Sequence, residues 1–180
     1  MIKFTIYIIV ILVGFILINE LIQGITRQKH RQKIFKLAQK RAQETSKPLA
    51  VFGDPYYGLG SRFYNMFMDG YGCGDETIDL TGAPKCSIGI KSDILKYLQK
   101  QKSNSKIIFI SCVLEYIENI EEVIKEIIRV SGGVENVFIV SVSEFSLAAY
   151  LYSEDDYKAL NIIKGPPQHG QITYEKIKIS

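Results

Sequence analysis

The chain begins with an almost unbroken apolar run, residues 1–18, and a strongly basic segment follows it. A helix rises about 1.5 Å per residue, so this run reaches about 27 Å, close to the thickness of a bilayer's hydrocarbon core. Lys3 and Glu20 at its two ends can extend into the headgroups. A cleaved signal peptide is the main alternative, but no small-x-small cleavage site follows the run. We therefore predict an uncleaved transmembrane anchor over residues 1–25.

The charges beside this anchor predict its orientation. Seven Lys and Arg residues stand in residues 27–41 with no acid among residues 21–43, whereas the other side has only Lys3 and the amino terminus. The positive-inside rule then places the rest of the chain in the cytoplasm. The predicted localisation is a single-pass membrane protein with a cytoplasmic C-terminal domain.

Residues 26–46 are predicted to form a basic juxtamembrane helix. Ile34, Ala38 and Ala42 form one row at helical spacing, with Phe35 beside it, while the lysines lie on another face. Two interpretations are open: a helix that lies on anionic lipid, or a solvated stalk that continues the anchor. In both, the segment contributes little to the core of the domain that follows.

Residues 47–180 are predicted to be one domain. Lys47-Pro48 ends the basic helix, because the residue before a proline is pushed out of the helical region. Residues 47–180 are 134 residues, which are enough for a single core. Residues 42–180 carry a formal net charge of −4, although the whole chain carries +3. Because a nucleic-acid surface needs basic charge on the folded domain, we expect a membrane and a protein partner and no nucleic acid.

Three cysteines, Cys73, Cys86 and Cys112, are an odd number without a CxxC pair, which is typical of a reducing compartment. We predict three free, mostly buried thiols. A zinc site from Cys73, Cys86 and His169 is an alternative, but it lacks close ligand pairs and a fourth ligand, so no metal is expected. No catalytic residue is assigned, because His169 is the domain's only histidine and lies in a Pro-Gly loop.

Strands and helices alternate along this domain. Strands are predicted at residues 49–52, 76–80, 87–90, 106–111, 137–142 and 171–179, and helices at 61–68, 92–101, 120–131 and 146–160. In the helix at 120–131, Ile124 and Ile127 should face the sheet and Lys125 solvent. Asn119 and Gly132 should begin and end that helix, and Ser92 should cap the helix at 92–101. The alternation predicts a doubly wound α/β sheet with right-handed crossovers.

Part of this pattern resembles class I S-adenosylmethionine-dependent methyltransferases. In that family one strand ends in a V-L-E-H-V type segment and the next helix carries E-x-x-R-V-L-x-x-G-G; this chain has V-L-E-Y-I at residues 113–117 and E-I-I-R-V-S-G-G at 126–133. The resemblance implies a Rossmann-like, methyltransferase-type three-layer domain with S-adenosylmethionine as its cofactor.

The resemblance also implies which residues would bind the cofactor: Gly53, Asp54, Gly58 and Gly60 in the glycine-rich turn, Asp79 at the ribose and Asp93 near the adenine. The two acids outside the turn have local alternatives. Asp79 can serve the turn before Thr81-Gly82, and Asp93 can stabilise the N-terminus of its own helix.

The glycine-rich turn departs from the family pattern acid-x-Gly-x-Gly-x-Gly. Residues 52–60 read F-G-D-P-Y-Y-G-L-G, in which Pro55 lacks an amide donor and Tyr56 and Tyr57 add bulk where bare backbone would approach the cofactor. The motifs for ATP and NAD are absent as well.

The expected function is therefore a membrane-anchored, methyltransferase-like protein with a degenerate catalytic site that acts in binding or scaffolding at a membrane. Two alternatives stay open: an active membrane-bound S-adenosylmethionine-dependent methyltransferase, and a structural membrane protein of a virus particle.

Overall fold

The structure is a computed structural model that describes residues 2–57, 59–114, 117, 120–140 and 171–173. Its helices are α1 (Ile2–Thr45), α2 (Leu59–Asn65), α3 (Ile94–Gln99) and α4 (Ile120–Ser131), with a 3-10 turn at Val134–Asn136. Its strands are β1 (Leu49–Phe52), β2 (Glu76–Asp79), β3 (Gly89–Lys91), β4 (Ile107–Ser111), β5 (Val137–Val140) and β6 (Gln171–Thr173). The predicted helix at 146–160, Asn119 and His169 lie outside the described residues.

The strands form one sheet in the order β3-β2-β1-β4-β5-β6. The first five are parallel, and β6 runs antiparallel to β5. In the centre, Val51 of β1 is paired with Thr77 on one side and Phe109 on the other. This arrangement confirms the α/β class with a parallel sheet. The strand order reverses between β1 and β4, which is where open α/β sheets bind ligands at their carboxyl edge.

Helices cover both faces of the sheet, because the central strands are hydrophobic at every position. In β1, Ala50 and Phe52 pack toward α3 and α4, whereas Leu49 and Val51 pack toward α1. β4 alternates in the same way and is buried throughout. Continuous apolar strands of this kind are typical of parallel sheets.

The helix α4 confirms the face predicted for it. Ile124 and Ile127 are buried, while Lys125 is exposed. The helix ends where predicted, because Gly132 adopts a positive φ of 74° and its amide donates to the carbonyl of Ile128.

The helix α1 crosses the sheet from its carboxyl edge to its amino edge. Arg31 Nη2 lies 3.2 Å from Sγ of Cys112, directly after β4, whereas Arg41 Nε lies 2.9 Å from Oδ1 of Asn136, directly before β5. The first half of α1 therefore extends beyond the carboxyl edge.

The second half of α1 corrects the prediction that residues 26–46 contribute little to the core. Ile34, Phe35 and Ala38 are buried in one cluster with the inner residues of β1, β4 and β5. Ala38 is fully buried, since a small side chain lets the helix approach the sheet closely. The thin apolar row thus belongs to a covering layer of the sheet, not to a lipid-surface helix or a solvated stalk.

The first half of α1 is apolar and uncovered. The large apolar side chains of residues 4–18 are between 43% and 76% exposed. The mean hydropathy of the most apolar stretch is 2.5, and none of that stretch is buried. By length and composition, this helix could cross a membrane.

A disulfide corrects the prediction of three free thiols. Cys73 precedes β2 and Cys86 precedes β3, and the parallel pairing of these strands brings the two cysteines to a Cα separation of 5.6 Å, where they are disulfide-bonded. Cys112 has a free thiol. The bond removes the cysteine pair of the zinc alternative, and the described part of the chain has no group of three metal ligands.

Candidate functional site

The candidate site lies at the carboxyl edge of the sheet, beside the point where the strand order reverses. The turn after β1 begins with Gly53 and Asp54, and Asp79 ends the neighbouring β2. The structure brings these three residues together, since the amide of Asp54 donates to Oδ2 of Asp79 at 3.0 Å. Asp93 lies farther along the same edge, after β3, and Gly60 lies in α2. Gly58 is outside the described residues.

The turn after β1 uses its backbone amides internally. From residue 53 to residue 57, Pro55 has no amide hydrogen and each of the other four amides has an acceptor within the protein. These pairs are Gly53 to the carbonyl of Ile78 (2.9 Å), Asp54 to Asp79 Oδ2 (3.0 Å), Tyr56 to Asp54 Oδ1 (2.8 Å) and Tyr57 to the carbonyl of Asp54 (3.2 Å). No amide donor of residues 53–57 is left for a ligand.

The space beside Gly53 is filled as well. Its φ of 102° favours glycine, which agrees with a tight turn at the end of β1. A Cβ at this position would meet Val113 Cγ2 at 3.1 Å, the carbonyl oxygen of Ser111 at 3.2 Å and the hydroxyl of Tyr71 at 3.3 Å. The side chains of Val113 and Tyr71 and the backbone of Ser111 therefore occupy the space that a glycine here would otherwise leave open to a ligand.

Asp79 joins two turns. Its Oδ1 accepts hydrogen bonds from the amide and the hydroxyl of Thr81 at 2.7 and 2.6 Å, and its Oδ2 accepts the amide of Asp54. This is the local role that the sequence left open beside ribose binding. Both oxygens already have protein donors, so a ribose would compete with these bonds.

Asp93 has the second local role that was left open. Its Oδ1 accepts the amides of Leu95 and Lys96 at 2.9 and 3.2 Å, which makes Asp93, and not the predicted Ser92, the N-cap of α3. The amide of Ser92 donates to the carbonyl of Asp79 at 3.2 Å and so fixes this cap beside β2.

Residues of α1 that the sequence analysis did not assign reach the same edge. Arg31 donates to Cys112 Sγ and, at 3.2 Å, to Gln28 Oε1, and its guanidinium lies 5.5 Å from the ring centroid of Tyr71. In the sequence, Arg31 is one of seven similar basic residues. No local pattern distinguishes it, because its contact lies 81 residues away.

Tyr71 supplies a neutral hydroxyl to this site. Burial raises the pKa of Tyr71 well above its usual value, and the positive charge of Arg31 offsets this only in part. The hydroxyl therefore stays protonated at neutral pH and can donate a hydrogen bond, but it is not available as a general base.

The last residue of α2, Asn65, contacts both the turn and α1. Asn65 links two elements there: its Oδ1 accepts from Gln28 Nε2 at 2.7 Å, and its Nδ2 donates to the carbonyl of Pro55 at 3.1 Å. Gln28 is buried despite its polarity, and this bond satisfies its amide nitrogen. Gly53, Asp54 and Pro55 are thus buried near the strand ends, α1 and α2, whereas Tyr57 at the end of the turn is 60% exposed.

No protein-family model matches the chain, and no curated protein or solved structure matches it either. The geometry of this edge and the long apolar helix are therefore the features of the molecule that bear on its function.

Proposed function

We propose that this chain is a single-pass membrane protein whose cytoplasmic domain has the methyltransferase type of Rossmann-like fold, has lost the open cofactor turn, and acts in binding or scaffolding at a membrane. The fold assignment is supported by the order of the five parallel strands, 3-2-1-4-5, which is that of Rossmann-like sheets. The motif at residues 113–117 and 126–133 adds to this support.

One observation carries the proposal: the amides of residues 53–57 all donate within the protein, apart from Pro55, which has none. A phosphate- or carboxylate-bearing cofactor at a switch point binds through free backbone amides and a bare glycine surface. This turn presents neither, because Tyr71 and Val113 fill the space beside Gly53. A closed turn favours a binding protein over an enzyme.

An active methyltransferase is the second candidate. It is favoured by the position of Asp79 at the end of β2, next to the turn of β1. Such an enzyme would have to break the bonds from Thr81 and Asp54 to free this carboxylate. The virus-particle alternative has no support from the described residues.

Calorimetry with S-adenosylmethionine on the full chain in lipid nanodiscs tests the choice. We expect a Kd weaker than about 1 mM, which corresponds to about −4 kcal/mol. Micromolar binding that is lost in Asp79→Ala and retained in Asp69→Ala, a change at an exposed acid, would overturn the proposal in favour of the enzyme.

Scaffolding predicts a second, independent result. Chemical cross-linking through surface lysines in native membranes should convert the chain into one discrete larger species. A chain that stays monomeric at every cross-linker concentration would contradict scaffolding even if the cofactor does not bind.

A further inference from the structure

The helix α2 and the turn after it expose a cluster of large apolar side chains. Phe63, Met66 and Phe67 are 49%, 75% and 72% exposed. The rings of Phe63 and Phe67 lie edge to face with centroids 5.4 Å apart. We call these three residues the α2 apolar cluster. Neighbouring large apolar side chains with this exposure are typical of a surface that contacts something other than water.

The position of the cluster along α1 is fixed by Tyr64. The Tyr64 hydroxyl donates to the carbonyl of Glu20 at 3.2 Å, and its ring lies directly against the backbone of Gly24. A Cβ at Gly24 would overlap the Tyr64 ring, so only glycine permits this approach. The α2 apolar cluster is therefore held beside residues 20–24 of α1.

This is the level at which the apolar run of α1 ends. Glu20 lies two residues beyond Ile18, which is about 3 Å along a helix. Leu21 and Ile22 are 44% and 54% exposed and continue the apolar surface of α1 toward α2. The α2 apolar cluster is thus next to the surface that would contact lipid if α1 spans a bilayer.

Basic charges near the cluster fit the headgroup region of a bilayer. Arg62 on α2 is exposed, as is the acid Asp69 just after the cluster, and Lys29 and Lys33 are exposed farther along α1, closer to the sheet. Apolar side chains beside the span, with basic side chains beyond them, form the usual order of an interfacial segment.

We propose that the α2 apolar cluster inserts into the headgroup–acyl boundary of the same bilayer that α1 crosses. The carboxyl edge of the sheet, with the closed turn, then faces the membrane and is separated from it by α2. This inference rests on the proposed anchoring by α1, and it adds a second contact that fixes the orientation of the domain on the bilayer.

The chain has no tryptophan, which allows a direct test with single-tryptophan variants of the full chain in liposomes. Phe67→Trp reports on the cluster, Phe15→Trp on the span, and Val134→Trp on the amino edge of the sheet. Emission is compared in lipids with and without bromine near the top of the acyl chains. We expect bromine to quench Phe67→Trp and Phe15→Trp, with blue-shifted emission, and to leave Val134→Trp unchanged.

The three reporters separate the possible failures. If Phe15→Trp is quenched and Phe67→Trp is not, the cluster does not contact lipid and the inference is wrong while the anchor stands. If Phe15→Trp is not quenched, the anchoring itself is wrong. Blue-shifted but unquenched emission of Phe67→Trp would indicate a protein on the cluster instead of lipid, and Met66→Trp provides a second reporter should Phe67→Trp misfold.

A glycine pair tests the positioning by α1. Gly24→Ala should displace α2 and reduce the quenching of Phe67→Trp, because the added Cβ overlaps Tyr64. Gly14→Ala is the matched control, since no atom lies within 4 Å of a Cβ there. Equal quenching in both backgrounds would show that contact with α1 does not set the depth of the cluster.

Discussion

A single buried charge shows how the amino edge of the sheet is stabilised. Lys106, next to the start of β4, is 7% exposed, and its Nζ lies 2.8 Å from Glu76 Oε1. The Tyr97 hydroxyl donates to the other oxygen of Glu76. Burial raises the pKa of the Glu76 carboxyl, but the hydrogen bonds from Lys106 and Tyr97 outweigh this and hold the pKa below its usual value.

Removing the charge of Glu76 should therefore be costly. Glu76→Gln leaves Lys106 buried without its counter-ion, and we expect a loss of about 3 kcal/mol in the free energy of unfolding. Glu44→Gln is the control, because the Lys40–Glu44 pair is solvent-exposed at 73% and 50% and should contribute less than about 0.5 kcal/mol. Denaturant unfolding of the detergent-solubilised chain measures both, and equal costs would contradict the argument.

The same pair predicts a pH dependence. Because the folded pKa of Glu76 is depressed, its contribution is complete above the unfolded value of about 4.3 and is lost as the pH falls through the folded value. Wild-type stability should thus fall between about pH 6 and about pH 3 by more than that of Glu76→Gln. A variant with the same pH slope as the wild type would show that another group is responsible.

Among the secondary-structure elements, α1 has two different halves in one continuous helix. Its first half is exposed and apolar, and its second half packs on the sheet. Phe35 lies edge to face with Phe109 of β4 at a centroid distance of 5.2 Å. The helix is therefore both the candidate anchor and a structural layer of the domain.

Two substitutions, two residues apart on α1, measure this packing. Phe35→Ala should cost about 3 to 5 kcal/mol, because it removes a buried ring from the cluster between α1 and the sheet. Leu37→Ala, at a residue 45% exposed, should change stability by less than about 0.5 kcal/mol. Thermal unfolding in detergent distinguishes them, and a harmless Phe35→Ala would mean that α1 is not part of the core.

Truncation extends the same argument. A fragment of residues 19–180 retains the packed half of α1 and should unfold cooperatively. A fragment of residues 46–180 exposes the inner face of β1, β4 and β5 and should bind hydrophobic dyes and aggregate. Cooperative unfolding of the shorter fragment would instead restore the domain boundary at residue 47.

For the whole molecule, two observations point to different compartments. Basic residues after the apolar run favour a cytoplasmic domain, whereas the Cys73–Cys86 disulfide is typical of oxidising compartments. The proposed cytoplasmic orientation is compatible with the disulfide, because membrane insertion follows the flanking charges, while two half-buried cysteines at bonding distance can be oxidised after folding.

Two measurements on the full chain separate these factors. A tag at Ser180 should be digested by protease added to the cytoplasmic side of sealed membranes, and its protection would reverse the orientation. In the purified chain, alkylation should modify one cysteine before reduction and three after it. Three modified cysteines without reduction would contradict the disulfide.

The sequence by itself determined the apolar run, the strands of the parallel sheet and the inner face of α4. These features are local, because the periodicity and length of an apolar pattern specify which side chains must leave water. For the same reason the end of α4 at Gly132 could be predicted from the sequence.

Only the tertiary structure decided what those patterns pack against. The spacing of Ile34 and Ala38 predicts that one face of α1 is apolar. Whether that face contacts lipid, solvent or a sheet depends on strands far along the chain. The closed turn likewise depends on residues far along the chain. Asp79 accepts a hydrogen bond from the turn, and Tyr71 fills the space beside Gly53. The local sequence specifies which side chains must be buried and which polar groups need hydrogen-bond partners. The order of the strands specifies what those partners are.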